Sequence, residues 1–287
     1  MTEPAICPDP LHDIHACTDV YLPEDLVMDA ARRAVEENPE NAPRARGFTE
    51  PEPFQLALLT GNKWQNGRTI RFMFMDGDPI VQQKVAAIVH EWSKHANIKF
   101  QLVTDPNVAE IRISFKQQGS WSYLGTDCLS IAKNQPTMNY GWLQPNSTNE
   151  TYTSVVLHEF GHALGCIHEH QNPGGTINWN KEAAYQYYGR QGWSREMVDR
   201  QVFQKYQQSQ TQFTQIDAKS IMMYPIPKSL TTDGFEAGFN AVLSAMDKQF
   251  IAQMYPITTP PPPPPPTQEW RKVVQGVVDT LTNLLKK

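Results

Sequence analysis

Cysteine is scarce: Cys7, Cys17, Cys128 and Cys166 are the only four in 287 residues. So few, so widely spaced, cannot form the disulfide framework that staples small extracellular domains. Cys128 and Cys166 could pair, but two buried thiols is the simpler reading. No apolar run approaches the length of a membrane-spanning helix. Excess positive charge is also missing. The net charge is −5, charged residues make up 19% and mean hydropathy is −0.51, which excludes nucleic acid as an expected partner. The first thirty residues mix acids, prolines, Cys7, His12, His15 and Cys17, and lack the apolar core of a signal peptide.

The length suits one enzyme-sized domain with extensions. Residues 1–60 read as an N-terminal extension, punctuated by prolines from Pro4 to Pro53, with one helix expected over Glu24–Glu37. Leu26, Ala30, Arg33 and Glu37 make a poor amphipathic face, so nothing in that helix demands docking. Arg44 and Arg46, before Gly47, form a basic spot where a protease could cut. Residues 61–257 carry the regular patterns. Ile70, Phe72 and Phe74 alternate as a half-buried strand requires, as do Ile98, Phe100 and Leu102, then Ile111, Ile113 and Phe115. Pro79 opens a helix marked by Val81, Val85, Ile88, Val89 and Trp92. A further strand is expected near Thr137–Leu143, and the stretch between Gln117 and Ile131 reads as a loop. Helices are expected near Asn180–Gln191, Ser194–Tyr206 and Leu243–Tyr255. Residues 258–267 are a proline-rich linker, stiff through Pro260–Pro266. Residues 268–287 form an amphipathic helix whose stripe includes Trp270, Val274, Val277, Val278 and Leu281. Such a stripe is unstable alone in water. It calls for the body of the chain, a partner or a second copy; its few basic groups disfavour a membrane surface.

His158-Glu159-Phe160-Gly161-His162-Ala163-Leu164-Gly165-Cys166-Ile167-His168 carries the chemistry. Histidines four apart on a helix share one face, so both imidazoles can reach one ion. Gly165 can take positive φ, end the helix and bring His168 round as a third ligand. Three neutral histidines on zinc leave a fourth position for water, as a catalytic site requires. Glu159 faces the same ion without binding it and is placed to act as general base on the zinc-bound water. Val156, Phe160 and Leu164 lie on the opposite face, so the helix packs on one side and presents ligands on the other. A chance pattern on an ordinary helix would not also place Gly165 and His168. His90, His95 and His170 are not expected ligands; His170 is expected at the cleft rim. Asn146-Ser-Thr148 and Asn149-Glu-Thr151 fit glycosylation acceptors, but loop and helix-cap chemistry accounts for them more simply.

His158-Glu159-x-x-His162-x-x-Gly165-x-x-His168 resembles the zinc signature of the metzincin metallopeptidases, and Ser220-Ile-Met222-Met-Tyr224 resembles their Met-turn. Glu169, directly after the third histidine, is similar to the astacin subfamily. The resemblance spans about residues 63–256. It implies an α+β zincin/metzincin fold: a twisted mixed sheet, an active-site helix and a mostly irregular C-terminal subdomain. It implies one catalytic zinc ion, a methionine floor beneath it, and Tyr224 as a further ligand that stabilises the oxyanion. It further implies that an extended peptide lies along an edge strand, which the sequence puts near Thr137–Leu143. Met223-Tyr-Pro225 can also be read as a matrixin-like turn with Met223 as the floor; Ser220 and Glu169 favour Met222. The cysteines do not reproduce the usual astacin disulfides. If Glu169 is linked to a buried mature N-terminus, as in that subfamily, residues before about 60 are a removable pro-segment. The family's aspartate-bearing inhibitory motif has no clear match here. A thiol from Cys7 or Cys17 could cap the zinc instead, though an unanchored tail is the plainer reading.

The expected function is zinc-dependent endopeptidase activity on proteins or peptides. The resemblance suggests secretion. The alternative is a catalytically silent zinc protein that recognises peptides, against which the intact Glu159 speaks. A second rival makes the C-terminal helix the working end, tethering the domain to a partner.

Overall fold

The computed structural model describes residues 17–42, 61–205 and 216–257, together with 272, 275–279 and 282. Cys7, Arg44, Arg46, Tyr206 and the proline run lie outside the described residues.

The alternating segments form strands β1 (Thr69–Phe74), β2 (Lys99–Leu102) and β3 (Ile111–Ser114), joined by β4 (Ser120–Ser122) and β5 (Met138–Tyr140). Their order is β2-β1-β3-β5-β4. All neighbours are parallel except β4, which runs antiparallel to β5 with Ser120 opposite Tyr140 and Ser122 opposite Met138. This corrects the edge assignment: the segment at Thr137–Leu143 supplies an interior strand, and the edge is β4, within the stretch that reads as a loop. Ser-Trp-Ser is too short and too polar to show alternation.

Helix α2 (Pro79–Ile88) follows β1, capped by the Asp78 carboxylate, which accepts from Ile80 N at 2.7 Å. It continues as a tighter turn over Val89–Lys94. Helix α3 (Asn149–Ala163) starts at Thr148, whose hydroxyl accepts from Thr151 N at 3.1 Å. Val156, Phe160 and Leu164 are fully buried and pack with Phe72, Phe100 and Trp92 in the sheet-side core. Carbonyls along α3 find side-chain donors: Trp92 Nε1 reaches Leu157 O at 3.0 Å, Trp64 Nε1 reaches Ala163 O at 2.7 Å and the Tyr255 hydroxyl reaches Leu164 O at 2.8 Å. These bonds fix the helix along its length, as an element carrying ligands requires.

Helices α4 (Lys181–Gly189), α5 (Arg195–Val198) and α6 (Ala245–Met254) stand among irregular chain. A second core gathers Ile177, Ala184, Tyr188, Val198, Val202, Met223, Tyr224 and Ile226. The seam between the two cores runs through the Met-turn: Ile221 and Met222 belong to the first, Met223 and Tyr224 to the second. Cys128 and Cys166 are buried free thiols.

The N-terminal extension is not an unanchored tail. Helix α1 (Val27–Glu37) buries Ala30, Ala31, Ala34 and Val35 and sits on the turn Gly125–Ser130. Its docking face is offset from the Leu26-Ala30-Arg33 register, and alanines give a weak hydrophobic signal. Beyond it, Asn41 Nδ2 donates to Ala34 O and Lys63 O at 2.8 Å each, and Lys63 N donates back to Asn41 Oδ1 at 2.9 Å. Of the partners left open for residues 268–287, the structure supplies one from the same chain: Val277 packs against α1.

Candidate metal centre

Gly165 adopts φ +96°, in the left-handed region, and ends α3 as its position demands. The reversal brings His168 back beside His158 and His162. His162 Nε2 lies 3.2 Å from His158 Nε2 and 3.1 Å from His168 Nε2. His158 Nδ1 donates to Ile221 O at 2.7 Å and His162 Nδ1 to Cys166 O at 2.8 Å. With the protons held on Nδ1, these Nε2 lone pairs point inward. Burial holds the His158 imidazole down to about 4 and holds His162 and His168 well below the usual histidine range, so all three are neutral, the form that binds metal.

Converging lone pairs at such distances repel unless a cation lies among them. Zinc held by nitrogens at about 2.0–2.1 Å in a tetrahedron separates them by roughly 3.3 Å, which the observed spacings match. The donor set therefore fits zinc.

A fourth donor joins them. Cys17, His158, His162 and His168 offer ligand atoms that all lie within 4.8 Å of one another, and all four residues are buried. The Cys17 thiol also donates to Glu159 Oε2 at 3.4 Å. Burial, then the nearby Glu159 carboxylate, pushes that thiol up. Burial likewise raises Glu159, which is only 1% exposed. Two residues on, Asp19 Oδ1 stands 2.9 Å from His168 Nδ1, without the alignment of a hydrogen bond.

The segment around Cys17 lies along the sheet edge. Cys17 bridges Ser120 in the parallel sense, and Thr18 N donates to Ser120 O at 3.2 Å. Asp19 is gripped by Gln201: Asp19 N donates to Gln201 Oε1 at 2.7 Å, and Gln201 Nε2 to Asp19 O at 3.1 Å. Arg200 covers the Tyr21 ring at 3.8 Å.

The other residues singled out from sequence are placed as follows. Tyr224 is buried, its ring centroid 4.5 Å from that of His168, and its hydroxyl donates to the Cys17 carbonyl. Met222 packs under α3: a Cβ on Gly161 would stand 2.3 Å from its sulfur. Met223 instead faces the second core. Glu169 Oε1 accepts from Asp217 N at 3.1 Å and Asn172 Nδ2 at 3.2 Å, and burial raises its carboxyl to about 7. His170 is not at the cleft rim. It is 1% exposed, with Nε2 2.9 Å from Gln201 O and its ring 4.2 Å from that of Tyr224. The edge strand, the Gln201 grip and Asp19 are invisible in the sequence. Cys17 has one signal: with Cys7 it is one of two thiols in an acidic, proline-rich stretch ahead of a helix, and the sequence offers either as a cap on the zinc.

Beside the histidines opens a pocket bounded by Trp142, Val155, Ile221, Met223, Phe239 and Asn240. Its side walls carry no charge apart from Glu159.

A family model described as Astacin, a peptidase family, matches residues 58–255. Two solved structures of myroilysin are similar to the chain. One is 46% identical with a TM-score of 0.67, covering 69% of this chain and 97% of its own. The other is 39% identical with a TM-score of 0.57, covering 86% of this chain and 93% of its own. No curated protein matches the chain.

Proposed function

Since the chain belongs to the astacin family of metallopeptidases and is a zinc metalloendopeptidase, we propose that His158, His162 and His168 hold the zinc, that Glu159 is its general base, and that this chain, with its N-terminal segment in place, is a latent form closed by Cys17. The carrying observation is the cluster of three inward-facing imidazoles with the Cys17 thiol as the fourth donor.

Bound there, zinc supplies Lewis acidity, lowering the pKa of a coordinated water and polarising a peptide carbonyl. The protein's own groups do the rest. Glu159, next to His158 on the same helix, takes a proton from the attacking water and returns it to the departing amine. The Tyr224 hydroxyl, spent here on the Cys17 carbonyl, is the donor that a substrate carbonyl oxygen would meet once residues 17–21 leave. Ser120, which pairs with the N-terminal segment, supports docking of an extended peptide along β4. The apolar members of the adjoining pocket, Trp142, Val155, Ile221 and Phe239, favour a neutral, apolar substrate side chain. The thiol occupies the position that catalysis needs for water, so residues 1–60 act as a removable pro-segment. An inert zinc protein that only recognises peptides is not favoured.

The test combines metal analysis with cleavage of a protein substrate. Wild type lacking residues 1–60 and the same form with Glu159→Ala should each hold one zinc, while the variant loses on the order of 10²–10⁴ in kcat/KM. Full-length wild type should be nearly silent, and full-length Cys17→Ala active without processing. Normal cleavage by Glu159→Ala, or a full-length wild type as active as the truncated one, would overturn the corresponding part.

A further inference from the structure

We propose that the C-terminal helix is a latch on the N-terminal segment, seating on α1 and slowing the departure of that segment from the cleft. The proposal rests on the latent reading of the full-length chain. The contacts that carry it lie away from the metal centre.

Ala31 of α1 is 4% exposed, and the apolar side chains that cover it are Val27, Met28 and Val277. Val27 and Met28 are its neighbours on the same helix; Val277 arrives from the other end of the chain. The tail helix is one-sided there: Val277 and Val278 are half-buried, whereas Lys272, Gln275, Gly276 and Asp279 are exposed. Helix α1 is therefore held between two surfaces, with Ala30, Ala34 and Val35 buried on the domain side and Ala31 beneath the tail. Charges on α1 do not compete for that face, because they pair along the helix or, for Glu37, with Arg68 at 3.2 Å. Arg32 reaches Asp29 and Glu36, and Arg33 reaches Asp29, each at 2.6 Å. A contact of a few valine and alanine side chains would be weak between separate molecules. Tethered through residues 258–271 the contact is intramolecular, so a small apolar area suffices to bias α1 toward the docked state.

α1 is joined directly to the segment that closes the cleft, with only Leu22–Leu26 between Tyr21 and its first residue. Loosening α1 thus removes one anchor of residues 17–21, leaving the contacts in the cleft, among them those to Ser120, Gln201 and Tyr224. The latch is read on the full-length, zinc-loaded chain in two ways: amide exchange of α1 by mass spectrometry, and the alkylation rate of Cys17. Deletion of residues 258–287, and separately Val277→Glu, should accelerate both by on the order of fivefold, the loss of one half-buried valine contact. Exchange in α3 should stay unchanged, which shows the domain intact. The exposed substitution Lys272→Gln should alter neither rate. Unchanged α1 exchange in both variants would overturn the latch. Faster α1 exchange with unchanged alkylation would also overturn it, reducing the contact to packing. A full-length Cys17→Ala chain no more active than wild type would refute latency alone.

Discussion

The Asp127 carboxyl, in the turn that carries α1, is pushed up to about 7 by burial. The fold therefore prefers it protonated, and the sign of its effect on stability follows. Relative to the unfolded chain, where the group titrates near its ordinary value of 3.8, stability is intact below that value and drains away as pH rises toward 7. Asp127→Asn keeps the shape and removes the ionisation. It should raise Tm by on the order of 5 °C at slightly alkaline pH, and the gain should shrink steadily on acidification toward pH ~5. Calorimetry across that range checks it; a gain independent of pH would sink the account. At this scale the sequence is readable where chemistry depends on local spacing. His158, Glu159, His162 and His168 follow from helical period and one glycine. Cys17 does not, because its partner Glu159 is 142 positions away. No periodicity encodes that distance, and only docking of the segment along β4 creates the contact.

Elements are legible in proportion to their apolar alternation. Strands β1, β2 and β3 announce themselves with Ile, Phe and Leu on one face. β4 is Ser-Trp-Ser, three residues buried on both faces, too short for alternation to register, so the sequence puts the sheet edge elsewhere. The link between α6 and the Met-turn is equally hidden, yet it positions the site. Asp247 completes a capping box at the start of α6 with Ser244. The same carboxylate accepts from the Ser220 hydroxyl at 2.7 Å and from Ile221 N at 2.8 Å. Ile221 O in turn holds His158 Nδ1 at 2.7 Å. One buried carboxylate thus ties a helix start to the orientation of a proposed ligand, two bonds away. Burial raises its pKa while the Ile221 N–H lowers it, so the ion is tolerated because its bonds are made. Asp247→Ala should cost about 2–4 kcal/mol in denaturant unfolding through lost caps and stranded donors. It should also weaken zinc binding by on the order of tenfold, read by competition with a chelator of known affinity. Asp247→Asn should recover part of both. Unchanged zinc affinity in the alanine variant would show that the Met-turn holds His158 without this carboxylate.

At the scale of the whole molecule, the N-terminal extension, among the described residues, touches the rest of the chain at two separated stations. Cys17 to Tyr21 lie in the cleft, with the thiol among the histidines, Thr18 on β4 and Asp19 on Gln201. α1 and Asn41 lie outside it, on the Gly125–Ser130 turn and on Lys63. Holding both stations with one segment makes the second contact intramolecular. The arrangement predicts inhibition in trans. A synthetic peptide covering residues 17–42 should inhibit the domain lacking residues 1–60, and a peptide ending at residue 22 should be weaker by on the order of 10²-fold, since it forfeits the α1 station. Cys17→Ser in the longer peptide should cost at least about tenfold, because a hydroxyl is a poor substitute for thiolate on zinc. Equal potency of the long and short peptides would mean that α1 contributes nothing to closure and that latency resides in the cleft alone. Equal potency of the longer peptide and its Cys17→Ser variant would place the inhibition in α1 and the β4 pairing, with the thiol a bystander at the histidines.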